Sequence, residues 1–164
     1  MKQTEHEVCL LLGSNILPAH YLPRAVDLLQ KQLKILKASS VWETTAIGSD
    51  GPNFLNAALL IATPLDAQAL KEHILHPIEA QLDRVRTQNK NAARTIDIDI
   101  LIFDEQVLDS MLWNYAYRAV PAAEILPGTI SETGENLKDV AARLERASQI
   151  NPRADVVLGL QLPS

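Results

Sequence analysis

Apolar and polar positions follow two periods along this chain, and the switches between them mark out its elements. Val8-Cys9-Leu10-Leu11-Leu12 is an unbroken apolar run closed by Gly13-Ser14-Asn15, which predicts a buried strand entering a tight turn. Over 21–33, Leu22, Val26, Leu29 and Leu33 recur at helical spacing, with Pro23 tolerated in the first turn. Residues 39–45, with Val41 and Trp42, predict a second strand. Gly48-Ser49-Asp50-Gly51-Pro52 is dense turn chemistry, and 54–62 read as a third, largely buried strand. From 65 to 82, Leu70, Ile74, Ile78 and Leu82 fall four residues apart, a helix that Pro77 should kink or break near His76. Over 95–103, Ile96, Ile98, Ile100 and Ile102 alternate with Asp97 and Asp99, a strand with an apolar face and an acidic face. Beyond it, 121–126 suggest a short helix. A longer helix follows over 136–147, carrying Leu137, Val140 and Leu144, and 156–162 suggest a terminal strand.

The predicted order is β-α-β-β-α-β followed by helices. It matches the ferredoxin-like split motif, an α+β fold in which an antiparallel sheet carries helices on one face. No internal repeat or linker interrupts it, so 1–164 is expected to be one domain.

Composition changes this picture only by exclusion. The 164 residues are 47% hydrophobic and 21% charged, ordinary values for a globular chain. The apolar runs are far too short to span a bilayer, and the polar start Met1-Lys2-Gln3-Thr4-Glu5-His6-Glu7 is followed by no signal-like segment. The single cysteine, Cys9, sits inside an apolar run and is expected to be a buried, reduced thiol. These features point to the cytoplasm. A net charge of −5 argues against a nucleic-acid surface.

Charge is unevenly spread, however. Arg84, Arg86, Lys90 and Arg94 precede the acidic strand with no acidic residue from Arg84 to Ile96. Alternation places Asp97 and Asp99 on one face, about 7 Å apart at the backbone. Two such carboxylates repel unless a cation or a proton intervenes. Mg²⁺ favours carboxylate oxygens together with phosphates, and arginines suit phosphate oxygens through paired donors. The alternative is a polar, solvated edge face that needs no ligand.

Five segments in order then carry a specific resemblance. They are Leu11-Leu12-Gly13-Ser14-Asn15, Ser39-Ser40-Val41-Trp42-Glu43-Thr44 and Gly51-Pro52-Asn53-Phe54-Leu55-Asn56-Ala57-Ala58. The fourth is the set Ile78-Glu79, Arg84-Val85-Arg86 and Arg94-Thr95-Ile96-Asp97-Ile98-Asp99-Ile100, and the fifth is Pro121-Ala122-Ala123-Glu124-Ile125-Leu126-Pro127. From about Val8 to about Pro127 the chain resembles the 6-hydroxymethyl-7,8-dihydropterin pyrophosphokinases. The resemblance implies transfer of pyrophosphate from ATP to the pterin alcohol, releasing AMP, in folate biosynthesis. It implies that Asp97 and Asp99 hold two Mg²⁺ ions, with Arg84 and Arg94 sharing in catalysis. Phe54 matches an aromatic that stacks on the pterin, Asn56 a side chain that bonds its edge, and Thr44 a further pterin contact. Glu79, Arg84, Arg86, Arg94 and Ile100 fall on the nucleotide side. For Arg84 the alternative is surface charge, for Phe54 core packing, and for Asn56 a polar strand end. Gly13-Ser14-Asn15 reads as an architectural turn, and 87–93, lacking a large apolar anchor, as a flexible lid. A monomer, at most a weak dimer, is expected.

The chain also departs from the family's pattern. The family places a histidine and an arginine after the aspartate strand, whereas His6, His20, His73 and His76 all precede it. The segment between Phe103 and Pro121 is shorter than usual. Within it Tyr117 falls where a second stacking aromatic is expected, and Arg118 is the candidate replacement for the arginine. Lys90-Asn91-Ala92-Ala93 stands where the catalytic loop carries a tryptophan and a Gly-Pro pair. A catalytically impaired member that binds a pterin or a partner is therefore the alternative reading.

Overall fold

A computed structural model describes residues 4–45, 52–85 and 93–160. Strand β1 (His6–Ser14) runs between β4 (Phe54–Thr63) and β5 (Asp97–Phe103), antiparallel to both. Strand β3 (Trp42–Thr44) and β2 (Lys34–Ala38) both pair with β4. The short β6 (Gln106–Val107) extends the sheet beyond β5, and β7 (Ile150–Pro152) closes the other edge on β3. Every pairing is antiparallel, in the order β6-β5-β1-β4-β3-β7. Taking β2 and β3 as one interrupted strand, the central order is that of the ferredoxin-like motif.

Helices cover both faces, which is why β1 reads as continuous apolar sequence rather than alternation. Val8, Leu10 and Leu12 face a core closed by α1 (Pro18–Gln32) and the helical segment 67–81. Cys9 and Leu11 face a second core with α4 (Ala116–Ile125) and α5 (Leu137–Ala147). The first two helices follow the expected motif, and the trailing pair supplies the other layer. Among the described residues no helix is long and apolar enough to cross a membrane.

Several expectations need correction. The helix expected over 65–82 is α2 (Ala67–Leu70), a π-helical turn (Lys71–Leu75) and α3 (His76–Gln81). The wide turn ends just before Pro77, whose ring and missing N–H disrupt regular i→i−4 bonding. Helix α4 begins at Ala116, not at Pro121, which lies inside it. Gly13 and Ser14 still belong to β1 rather than to a turn. Residues 156–160 form no strand; the terminal strand is β7, too short to show any period.

The apolar face of β5 also breaks. Leu10 pairs with Ile100 but Cys9 pairs with Ile102, so Leu101 is an extra residue in a β-bulge. Ile96, Ile98 and Ile100 stay in the first core, whereas Ile102 joins Leu101 in the second. The aspartates precede the bulge, so their shared face is preserved.

Candidate active site

Three neighbouring strands set the floor of a cleft of about 100 Å³. Gly13 on β1 pairs with Asn56 of β4 on one side and Asp97 of β5 on the other. Two residue pairs along the same ladder, Leu11 pairs with Asp99. A side chain at position 13 would place its Cβ 2.8 Å from Asn56 Oδ1. The glycine therefore gives the Asn56 amide its seat. Asn56 is buried and donates from Nδ2 to Thr44 Oγ1 at 3.3 Å, with Thr44 itself opposite Phe54 in the β3–β4 ladder. Tyr117 and Arg118, on the first turn of α4, add the remaining wall.

An arginine pair is built around one aspartate and leaves the other open. Arg84 Nη1 donates to Asp97 Oδ1 at 2.7 Å, and Arg94 Nη1 donates to Oδ2 at 2.9 Å. Burial alone would push the Asp97 carboxyl up, but these two cations outweigh it and hold the group below the usual carboxylate range. Arg84 also donates to Glu79 Oε2 at 2.5 Å, an oxygen that accepts the Ile98 backbone N–H at 2.9 Å. Burial opposes the charge on Arg84, yet its two acidic partners raise its pKa overall.

Asp99 has no bonded arginine among the described residues, and the Arg118 charge that lowers its pKa through space is outweighed. Among the described residues no donor bonds its carboxylate, and burial, then the neighbouring Asp97 charge, push it up to about 7. A divalent cation offers what this oxygen pair lacks, positive charge without a competing donor of its own. The chemistry of this donor set suits Mg²⁺, and Asp97 and Asp99 are the residues that could hold it.

The structure brings together most of the residues expected from sequence. Thr44, Phe54, Asn56, Arg94, Asp97, Asp99, Tyr117 and Arg118 all line the cleft. Glu79 and Arg84 stand behind it, joined to Asp97 through the ion pairs above. Ile100 is placed elsewhere: its side chain is buried in the first core, on the opposite face from the aspartates. Arg86, all but Ala93 of the lid expected over 87–93, and all but Pro52 of the turn expected over 48–52 lie outside the described residues.

Sequence reasoning missed Leu11 and Thr45, which also line the cleft. It missed two supporting residues as well. Asn15 Oδ1 accepts the Arg94 backbone N–H at 2.6 Å, and the Arg94 carbonyl accepts from the N–H groups of Asn15 and Ile16. The entry to β5 is thereby tied to the exit of β1. Asp109 holds Arg118, its Oδ2 accepting from Nε at 2.9 Å. Its only sequence signal was being the last acid before that lone basic residue.

Comparison with known proteins gives the family and the fold. Residues 9–127 match the family described as 7,8-dihydro-6-hydroxymethylpterin-pyrophosphokinase (HPPK). Similar relatives include the 2-amino-4-hydroxy-6-hydroxymethyldihydropteridine pyrophosphokinase of Campylobacter jejuni, 39% identical over 58% of this chain and 62% of the relative. The enzyme of that name from Aquifex aeolicus is 36% identical, over 64% of this chain and 66% of its own length. The matches thus span just under two thirds of these two relatives. The Pseudomonas aeruginosa enzyme is 28% identical across 82% of this chain and 90% of the relative. Among solved structures, wild-type Plasmodium falciparum HPPK-DHPS with pteroate shares the fold. Its TM-score is 0.67 at 11% identity, covering 87% of this chain and 43% of that one. The chain belongs to the 7,8-dihydro-6-hydroxymethylpterin-pyrophosphokinase family.

Proposed function

We propose that this chain transfers pyrophosphate from ATP to 6-hydroxymethyl-7,8-dihydropterin, giving the pterin diphosphate and AMP in folate biosynthesis. The observation that carries the reading is the convergence of pterin-type and phosphate-type residues on one cleft, in a chain of this family. Phe54 and Tyr117 supply flat faces for a fused ring, and Asn56, braced by Thr44, offers donor and acceptor to its edge. Asp97 and Asp99 would hold two Mg²⁺ ions, which when bound neutralise the oxygens of the pyrophosphoryl group. Arg84, Arg94 and Arg118 add positive charge around the phosphates, and Arg86 is assigned there with them.

The pterin hydroxymethyl oxygen attacks the β-phosphorus of ATP. A new P–O bond forms as the bridge to the α-phosphate breaks, AMP leaves with that electron pair, and the hydroxyl proton passes to water. The chain's contribution is alignment and charge rather than a strong base. Glu79 acts from behind by orienting Arg84, and Ile100 acts only through the backbone of β5. This reading takes residues 1–164 as one domain working as a cytoplasmic monomer.

The test is AMP release measured with and without the hydroxymethyl-dihydropterin. Pterin-dependent AMP is the expected result. Pterin binding with no AMP would favour the impaired, binding-only reading, and phosphate release without pterin would point to a hydrolase.

A further inference from the structure

We propose that Asp109 is a positioning residue, fixing the Arg118 guanidinium on the cleft wall where it takes an anionic oxygen of the bound nucleotide. The identity of that ligand rests on the pyrophosphokinase reading; the device itself rests on geometry. Asp109 is first fixed by backbone. Its Oδ1 accepts the Met111 N–H at 3.0 Å and so caps the short 3₁₀ helix Ser110–Trp113. The second oxygen is then free to grip Arg118 Nε at 2.9 Å. On its other side the guanidinium carbon lies 4.6 Å from the centre of the Tyr117 ring. The Arg118 side chain, only 14% exposed, is thus clamped between a carboxylate and an aromatic face.

That clamp leaves donor capacity unspent. Arg118 Nη1 is buried with no hydrogen-bond partner among the described residues, a state that costs a purely structural ion pair stability. Arg84 and Arg94 already bond Asp97, whereas the acid that holds Arg118 stands outside the aspartate pair. Arg118 lines the cleft, paired to Asp109 and bonded to neither Asp97 nor Asp99. Asp109 and Arg118 belong to the stretch that leads from β6 into α4.

Calorimetry with Mg²⁺ and α,β-methylene-ATP, and separately with 6-hydroxymethylpterin, tests the assignment. Asp109→Ser keeps a hydroxyl for the Met111 N–H but cannot reach Arg118. It should weaken nucleotide binding by about tenfold, the scale of one charge-assisted hydrogen bond, while pterin affinity stays within about twofold. Added to Arg118→Ala, it should cause no further loss. Asp109→Asn, which also retains a capping oxygen, should show the same split and serves if the serine variant fails to fold. Unchanged nucleotide affinity, additive losses in the double variant, or equal loss of both ligands with a lowered Tm would each overturn the proposal. Correct splits in a protein without pterin-dependent AMP release would count against the reaction and leave the role of Asp109 standing. Full turnover without the split would do the reverse.

Discussion

Gly13 lies on the middle strand of the site, paired with Asn56 on one side and Asp97 on the other. Because a Cβ there would meet Asn56 Oδ1 at 2.8 Å, Gly13→Ala should displace the amide rather than the sheet. The variant is expected to fold while losing about 1–3 kcal/mol of pterin affinity, measured by titration calorimetry. The aspartates lend themselves to a pH experiment. Asp99 has its folded pKa raised to about 7, above its unfolded value, so its charged form opposes folding. The penalty is complete above pH 7 and disappears as pH falls toward about 4. In metal-free protein, Asp99→Asn should be more stable than the parent at pH 8, by on the order of 1–3 kcal/mol, and equal to it near pH 4. Denaturant melts at the two pH values check this, and a variant gaining nothing at pH 8 would refute it. Asp97 runs the opposite way, its lowered pKa contributing stability that is lost only under more acid conditions. Asp97→Ala should therefore abolish turnover and also weaken the fold, since Arg84 and Arg94 both lose a partner.

Among the elements, α5 is an unbroken amphipathic helix with a side-chain cap. Asn136 Oδ1 accepts the Asp139 N–H at 2.9 Å, and Leu137, Val140 and Ala141 are buried. Asn136→Ala is expected to cost about 1 kcal/mol, read as a shift in denaturation midpoint with no change in ligand affinity. Helix α4 shows the reverse case. Pro121 inside it cannot donate to the carbonyl of Tyr117, so the turn carrying Tyr117 and Arg118 lacks one helical bond. The α4–α5 layer sets that turn against the sheet, bringing an aromatic and a cation into the cleft.

At the scale of the whole molecule, β1 joins two cores. Cys9 is fully buried between β1 and the α4–α5 layer, and burial pushes its thiol up to about 12. It should resist maleimide and disulfide reagents in the folded protein, with modification appearing only at the rate of unfolding. Rapid labelling of the native protein would show instead that the second layer opens independently of the sheet. Such opening would also release Tyr117 and Arg118 from the cleft, so the same experiment bears on the integrity of the site.

Helical and alternating periods, together with the spacing of Asp97 and Asp99, determined the central motif and one face of the site. These patterns depend on residues close in sequence, and the physics that reads them is local. The tertiary structure alone decided what depends on partners far along the chain. The bulge at Leu101 that sends Ile102 to another core is visible only against Cys9 and Leu10. Strand β7 exists because Trp42–Thr44 offers an edge, not because Ile150–Pro152 has a pattern. The commitment of Arg84 and Arg94 to Asp97, which leaves Asp99 without a bonded cation, and the grip of Asp109 on Arg118 likewise follow from packing. Charge neutralisation acts through space, and only the folded chain fixes which opposite charges meet.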